Sequence, residues 1–86
     1  NPTLQVGLAL ALATLGQRDL AMRAARRAEQ LDPQSVTALA TLAYVSLERG
    51  ATQDARVWLD RARALNAGDP MVQSLTQRLA GTGAPR

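Results

Sequence analysis

The sequence contains neither cysteine nor histidine, and their absence removes several classes of chemistry. A chain without thiols forms no disulfide bonds, and without thiolate or imidazole ligands it lacks the usual donors of zinc sites. Catalysis by a Cys or His nucleophile or proton carrier is excluded for the same reason. We therefore expect no metal and no cofactor, and the sequence leaves the redox compartment open.

Aromatic residues are scarce. There is no Phe, one Tyr (Tyr44) and one Trp (Trp58), although 47% of the 86 residues are hydrophobic. The core must then consist of Leu, Ala and Val. Since Ala and Leu are strong helix formers and strands prefer β-branched and aromatic residues, this composition predicts an all-α fold. The length is that of one small domain.

Lysine is absent as well, and the ten basic residues are all Arg, against seven acids, for a net charge of +3. An all-Arg set can indicate phosphate binding, but an Arg- and Ala-rich chain is equally typical of a GC-rich genome. Acids alternate with the arginines, which predicts a solvated face with ion pairs such as Arg26–Glu29 and Asp60–Arg63. Without stacking aromatics, binding of nucleic acid or anionic lipid stays a remote alternative.

The first apolar run, residues 4–15, lacks the length of a membrane helix, which needs about 20 apolar residues. No positively charged segment precedes it, so a signal peptide is not predicted either. We expect no direct membrane insertion by this segment. Bacterial cytoplasm and periplasm are both compatible with the sequence.

The chain carries an internal repeat. Gly16 and Gly50 each follow an apolar segment and precede a polar turn. Sliding the sequence by 34 aligns eight identical pairs: Thr3 with Thr37, Leu8 with Leu42, Ala9 with Ala43, Gly16 with Gly50, Ala21 with Ala55, Arg27 with Arg61, Ala28 with Ala62, and Leu31 with Leu65. A fixed period of this length is typical of stacked helical repeats.

This pattern resembles the tetratricopeptide repeat, a 34-residue helix-turn-helix unit with small residues where its helices cross. Those residues are Ala9, Ala21 and Ala28 in the first copy and Ala43, Ala55 and Ala62 in the second. The motif Leu31-Asp32-Pro33 ends the first copy, whereas Leu65-Asn66-Ala67 lacks the proline. The resemblance covers about residues 2–69 and implies an α-α superhelix, a right-handed solenoid of about five antiparallel helices.

Local signals predict helices at residues 2–15, 19–31, 36–49, 53–65 and 70–80. Ser35 and Asp69 are expected N-caps, with Pro70 at the first helical position. A single domain, 1–80, would comprise repeat one (2–35), repeat two (36–69) and a capping helix (70–80), followed by a disordered tail at 81–86. The capping helix carries an apolar stripe, Val72, Leu75 and Leu79, which we place one residue out of the 34-residue register.

The first helix has two apolar stripes on nearly opposite sides. We expect the stripe of Leu4, Leu8, Leu12 and Leu15 to pack on the partner helix of its own repeat. The other, Val6, Leu10 and Ala13, recurs in the second repeat as Ala40, Tyr44 and Leu47 and is left to contact something else.

In the tetratricopeptide family the first helices of successive repeats line a concave groove. By resemblance, the groove-facing residues are Thr3, Val6, Leu10, Ala13 and Thr14 in repeat one and Thr37, Ala40, Tyr44, Leu47 and Glu48 in repeat two. An exposed apolar row of this kind predicts a groove for a partner polypeptide. Packing against another repeat of a longer array, or against a second copy in a homodimer, explains the same row without a ligand.

The function predicted from the resemblance is that of a protein–protein interaction scaffold, not an enzyme. Family members that grip chaperone carboxylates use Lys, Asn and Arg in the groove, and this chain has apolar residues there. It is more similar to bacterial scaffolds of envelope machines such as polysaccharide exporters, pili and secretion systems. Tyr44 is predicted as a recognition anchor or a packing residue, and Trp58 as a packing residue between repeat two and the capping helix.

Overall fold

The computed structural model describes residues 2–83 and shows five helices joined by short turns. They are α1 (Pro2–Thr14), α2 (Arg18–Leu31), α3 (Val36–Glu48), α4 (Thr52–Asn66) and α5 (Pro70–Gly83). No strand occurs in this part of the chain, and adjacent helices pack on one another, which confirms the all-α helical-repeat fold. The predicted helix ends are right to within one residue, apart from the end of α5.

The last helix is longer than predicted. Residues 81–83 continue α5, so the first half of the expected tail is helical. Residues 84–86 and Asn1 lie outside the described residues.

Two turns of the same conformation end α1 and α3. Gly16 and Gly50 have φ angles of +81° and +79°, which side chains other than glycine rarely adopt. The N–H of Gln17 donates to the Leu12 carbonyl, and the N–H of Ala51 donates to the Ser46 carbonyl, both at 2.8 Å. Each of these hydrogen bonds joins residues five positions apart, as in a Schellman motif. The repeat glycines thus end the first helix of each hairpin.

The predicted N-caps of α3 and α5 are confirmed. Ser35 Oγ accepts a hydrogen bond from the Ala38 N–H at 3.1 Å. Asp69 Oδ1 accepts from the N–H groups of Met71 and Val72, at 2.9 and 3.2 Å. Each cap satisfies backbone donors that have no partner inside the helix.

Helix α3 lies at the centre of the molecule. It contacts all four other helices, while α1 packs with α2 and α5 packs on α4. Six consecutive residues of α3, Ala38 to Ala43, are buried, as are Val45 and Ser46. The predicted small residues at the helix crossings are all fully buried: Ala9, Ala21, Ala28, Ala43, Ala55 and Ala62. Their size lets the helices approach closely.

The expected packing of α1 is wrong. Leu4, Leu8 and Leu15 of the leucine stripe are 68%, 48% and 74% exposed, whereas Val6 and Ala9 are buried. A close helix crossing needs small side chains, so the alanine side of α1 faces the other helices and these three leucines point away, whereas Leu12 of the stripe is partly buried and packs against the main core. The equivalent residues of α3, Ala38 and Leu42, are fully buried because a preceding hairpin covers them.

The apolar stripe of the capping helix packs inward, and the predicted one-residue shift stays a prediction, because Ala38 to Ala43 of α3 are all buried and match either alignment. Val72, Leu75 and Leu79 are buried, and their equivalents in repeat two, Ala38, Thr41 and Val45, are also buried. The outward positions of α5 are polar: Gln73, Ser74, Gln77 and Arg78 are exposed. Helix α5 therefore packs as a third first-helix and presents a polar side to solvent.

Candidate functional site

One row of equivalent residues crosses the three first-helices. Leu10 of α1, Tyr44 of α3 and Arg78 of α5 occupy the same position in the repeat register. The Arg78 Cζ lies 5.7 Å from the centroid of the Tyr44 ring, within the range of a cation–π contact. Because α3 contacts both α1 and α5, these helices form one surface, which we call the α1–α3–α5 face.

The ten predicted groove residues on α1 and α3 fall into three groups by solvent exposure. Thr3, Thr14 and Thr37 are exposed. The second group is partly buried and comprises Leu10, Ala13, Tyr44, Leu47 and Glu48. Val6 and Ala40 are buried.

Val6 and Ala40 lie beneath the α1–α3–α5 face. Val6 packs with Ala28 of α2, Ala38 of α3 and Leu10. Ala40 has no exposed surface and belongs to the main core. Both are covered because α1 and α3 are neighbours. The eight remaining residues keep solvent-exposed surface.

Tyr44 is held as a neutral phenol by its surroundings. Burial raises its pKa, and so do the hydrogen bond that its hydroxyl donates to the Glu48 carboxylate and the negative charge of that carboxylate. The nearby Arg78 guanidinium acts in the opposite direction and lowers the pKa. The Tyr44 ring thus lies between the Glu48 carboxylate of α3 and the Arg78 guanidinium of α5.

An alkaline titration should report this arrangement directly, since Tyr44 is the only tyrosine. Followed by ultraviolet absorbance, we expect the pKa of Tyr44 in the folded protein to exceed 10.0. Glu48→Gln should lower that pKa and Arg78→Gln should raise it further. Because the folded pKa is raised, the linked stability is present below the unfolded pKa and is lost as pH rises through the folded value. A native pKa at or below 10.0 would contradict the contacts of Tyr44.

A family model for the tetratricopeptide repeat matches residues 12–79. The chain belongs to the tetratricopeptide repeat family. No match was found among the curated proteins or among the solved structures. Tetratricopeptide repeats generally mediate contacts between proteins and form a non-catalytic scaffold fold.

The last helix of this tetratricopeptide domain adds two residues to the α1–α3–α5 face that sequence reasoning missed. Arg78 and Met71 are the 34-residue equivalents of Tyr44 and Thr37. Met71 is partly buried and packs against the main core. The signal was present in the sequence, because extending the repeat register into residues 70–80 selects both positions.

Trp58 packs at a different seam of the tetratricopeptide domain than predicted. Its ring lies beneath two guanidinium groups, with Arg26 Cζ of α2 at 5.5 Å and Arg61 Cζ of α4 at 5.1 Å from the centroid. Within the described chain, no Cα atom of α2 comes within 8 Å of one in α4. The indole therefore bridges repeat one to repeat two, and the predicted position against α5 is wrong.

Ion pairs on the second helices also connect the repeats. The Arg63–Asp60 pair predicted within α4 is present at 3.8 Å. Glu29 pairs across the repeats with Arg61 at 3.7 Å, while Arg26 lies over the Trp58 ring. Arg49 and Asp19 approach to 3.4 Å. The arginine of each pair is at least 41% exposed, so each pair contributes at most about 1 kcal/mol.

No cluster of three or more potential metal-ligating acids, cysteines or histidines occurs in residues described by the structure. No helix of that part is long and apolar enough to cross a membrane.

Proposed function

We propose that this tetratricopeptide domain binds a partner polypeptide on the α1–α3–α5 face. The observation that carries the proposal is the row of Leu10, Tyr44 and Arg78, an aliphatic, an aromatic and a cationic residue at equivalent positions of three consecutive first-helices, of which Tyr44 and Arg78 are in contact. Aromatic residues and arginine are enriched among the residues that dominate binding energy at interfaces. We infer that the domain acts by binding and not by catalysis.

The neighbours of this row support a polypeptide ligand. Leu47 and Ala13 are partly buried and add apolar surface, which is worth about 25 cal/mol per Å² when a partner covers it. Thr3, Thr14 and Thr37 supply exposed hydroxyl groups along the same helices. Glu48 and Arg78 bring both signs of charge to Tyr44, so a bound chain meets apolar and charged contacts together.

The test replaces one exposed threonine on the face and one exposed glutamine elsewhere. Peptides are selected from a random display library on the domain, and the Kd of the best binder is measured by fluorescence anisotropy. Thr37→Arg should weaken that binding about tenfold or more, because a long charged side chain obstructs the face and desolvating it is costly. Gln53→Arg on α4 is the matched control and should leave the Kd unchanged.

Both variants should melt at the temperature of the parent domain, since both residues are exposed. Equal Kd values for the Thr37→Arg variant and the parent would place binding on another surface and overturn the proposal. Participation in a bacterial envelope assembly remains a prediction of the sequence resemblance.

A further inference from the structure

A pocket of about 280 Å³ lies between α2, α3 and α4, where the two repeats meet. Among the described residues, no Cα atom of α2 comes within 8 Å of one in α4, so the two helices leave a gap that Trp58 fills only in part. We call it the inter-repeat pocket. A pocket of this size accommodates a small molecule.

The pocket is lined by Ser46 of α3, a buried residue with an unpaired hydroxyl group. Ser46 has no exposed surface, and its Oγ makes no hydrogen bond with any described residue. Nearly all buried polar groups in folded proteins are hydrogen-bonded, because leaving one unpaired costs free energy. By contrast, the hydroxyls of Thr41 and Thr76 each donate to the carbonyl four residues earlier. The Ser46 hydroxyl is thus available to a polar group of a ligand.

The helical repeat itself does not require the residues of this pocket. Three lining residues of repeat two differ in kind from their 34-residue equivalents in repeat one: Ser46 from Leu12, Asp54 from Leu20, and Trp58 from Ala24. Repeat one therefore has aliphatic residues where repeat two has a hydroxyl, a carboxylate and an indole. These three groups belong to the pocket and not to the pattern that the two repeats share.

Apolar side chains form one part of the lining. They are Met22 of α2 and Val57 and Trp58 of α4. Val57 is 58% exposed, so the apolar surface extends to the mouth of the pocket. A ligand with an apolar side chain gains free energy by covering this surface.

Exposed side chains of both charges form the other part of the lining, namely Arg26, Arg49 and Asp54. The Asp54 carboxylate makes no ion pair or hydrogen bond with any described residue, so it can accept hydrogen bonds from an ammonium group. Arg49 pairs with Asp19 at 3.4 Å. A guanidinium group has five N–H donors, and those that Asp19 does not use can bind a carboxylate.

We propose that the inter-repeat pocket binds a free α-amino acid with an apolar side chain. The ammonium group of the ligand contacts Asp54, and its carboxylate contacts Arg49 and accepts a hydrogen bond from the Ser46 hydroxyl. The side chain of the ligand packs against Val57 and Trp58. This site shares no residue with the α1–α3–α5 face.

The probe is L-leucine, titrated into the 86-residue protein. Trp58 is the only tryptophan, so its fluorescence reports binding at the pocket, and isothermal titration calorimetry gives the Kd. Ser46→Ala should weaken the Kd about threefold to tenfold, since one hydrogen bond to the ligand is lost. The Tm should not fall, because the hydroxyl has no partner to lose among the described residues. Ser74→Ala is the control, an exposed serine on α5, and should leave the Kd unchanged.

Two leucine derivatives separate the charged contacts. N-acetyl-L-leucine lacks the ammonium group and L-leucinamide lacks the carboxylate, so both should bind more weakly than L-leucine. Asp54→Asn should weaken the Kd of L-leucine about threefold to tenfold and leave that of N-acetyl-L-leucine unchanged. Arg49→Gln should weaken L-leucine by a similar factor and leave L-leucinamide unchanged. Thr37→Arg should have no effect, so failure here is distinct from failure of the α1–α3–α5 face.

Four results would overturn the proposal. The first is an absence of L-leucine binding up to about 10 mM, a concentration that saturates a site with a Kd of about 1 mM. The second is unaltered binding after Ser46→Ala or Asp54→Asn. The third is equal binding of L-leucinamide and L-leucine, which would assign the pocket to the amino terminus of a polypeptide. The fourth is a lower Tm for Ser46→Ala, which would show that the hydroxyl already pairs with a buried water molecule.

Discussion

Leu42→Ala should lower the free energy of unfolding by about 2–5 kcal/mol, the usual loss when a buried leucine is truncated and leaves a cavity. Leu42 has no exposed surface and lies on α3, which contacts every other helix. For a domain of this length, each kcal/mol corresponds to about 4–8 °C in Tm. Urea unfolding followed by circular dichroism gives the free energy, and a thermal scan gives the Tm.

Leu8→Ala is the matched control for this substitution. Leu8 is the same residue type at the same position of repeat one, but it is 48% exposed because no hairpin covers that side of α1 in the structure. We expect it to cost less than about 1 kcal/mol, since surface substitutions away from packed features have small effects. Similar losses for the two variants would contradict the packing described for α1.

Trp58→Ala should lower the free energy of unfolding by about 2 kcal/mol, less than the loss for a fully buried Trp. Truncating a buried Trp to Ala costs about 3–5 kcal/mol, and the partial exposure of Trp58 reduces that cost. The loss arises because the indole fills the space between α2 and α4, where the backbones stay apart. The measurement is urea unfolding followed by circular dichroism, since the variant has no tryptophan fluorescence.

A double-mutant cycle separates the bridge from simple loss of volume. If Arg26 contributes through the ring, Arg26→Ala should cost about 0.5–1 kcal/mol in the parent and much less in the Trp58→Ala background. Arg56→Ala is the control, being an exposed arginine on the same helix as Trp58. Additive losses for Arg26 and Trp58 would show that the stacking contact contributes nothing.

The architecture was predictable because the repeat contains residues that begin or end helices through local contacts. Gly16 and Gly50 end helices by adopting positive φ, and Ser35 and Asp69 begin them by accepting backbone N–H donors. These signals act within a few residues of the chain. The fully buried alanines followed from the resemblance to a family of known packing.

The orientation of α1 was not predictable from its own sequence. A helix with apolar residues on both sides has little amphipathic character, so periodicity does not select which side is buried. Leucine size favoured the wrong side, because the close crossing with α2 and α3 selects Val6 and Ala9 instead. The equivalents of Leu4 and Leu8 in the second repeat, Ala38 and Leu42, are buried because a preceding hairpin covers α3. This difference between α1 and α3 is visible in the structure and not in the sequence.

Trp58 shows the same dependence on tertiary structure. Its partner Arg26 is 32 positions earlier, and no local pattern joins them. The charge pairs behave alike: Arg63–Asp60, within one helical turn, was predicted, whereas Glu29–Arg61 depends on how α2 crosses the second hairpin. Two residues of the candidate site, Arg78 and Met71, could have been predicted by extending the 34-residue register into α5.

The two outer sides of the described helices differ in polarity. The α1 side exposes Leu4, Leu8 and Leu15, whereas the outward side of α5 exposes Gln73, Ser74 and Gln77. A polypeptide that covers the α1 side gains about 25 cal/mol per Å² of buried apolar area, while one that covers the α5 side must desolvate amide and hydroxyl groups. The energetics of association at the two outer sides are therefore asymmetric.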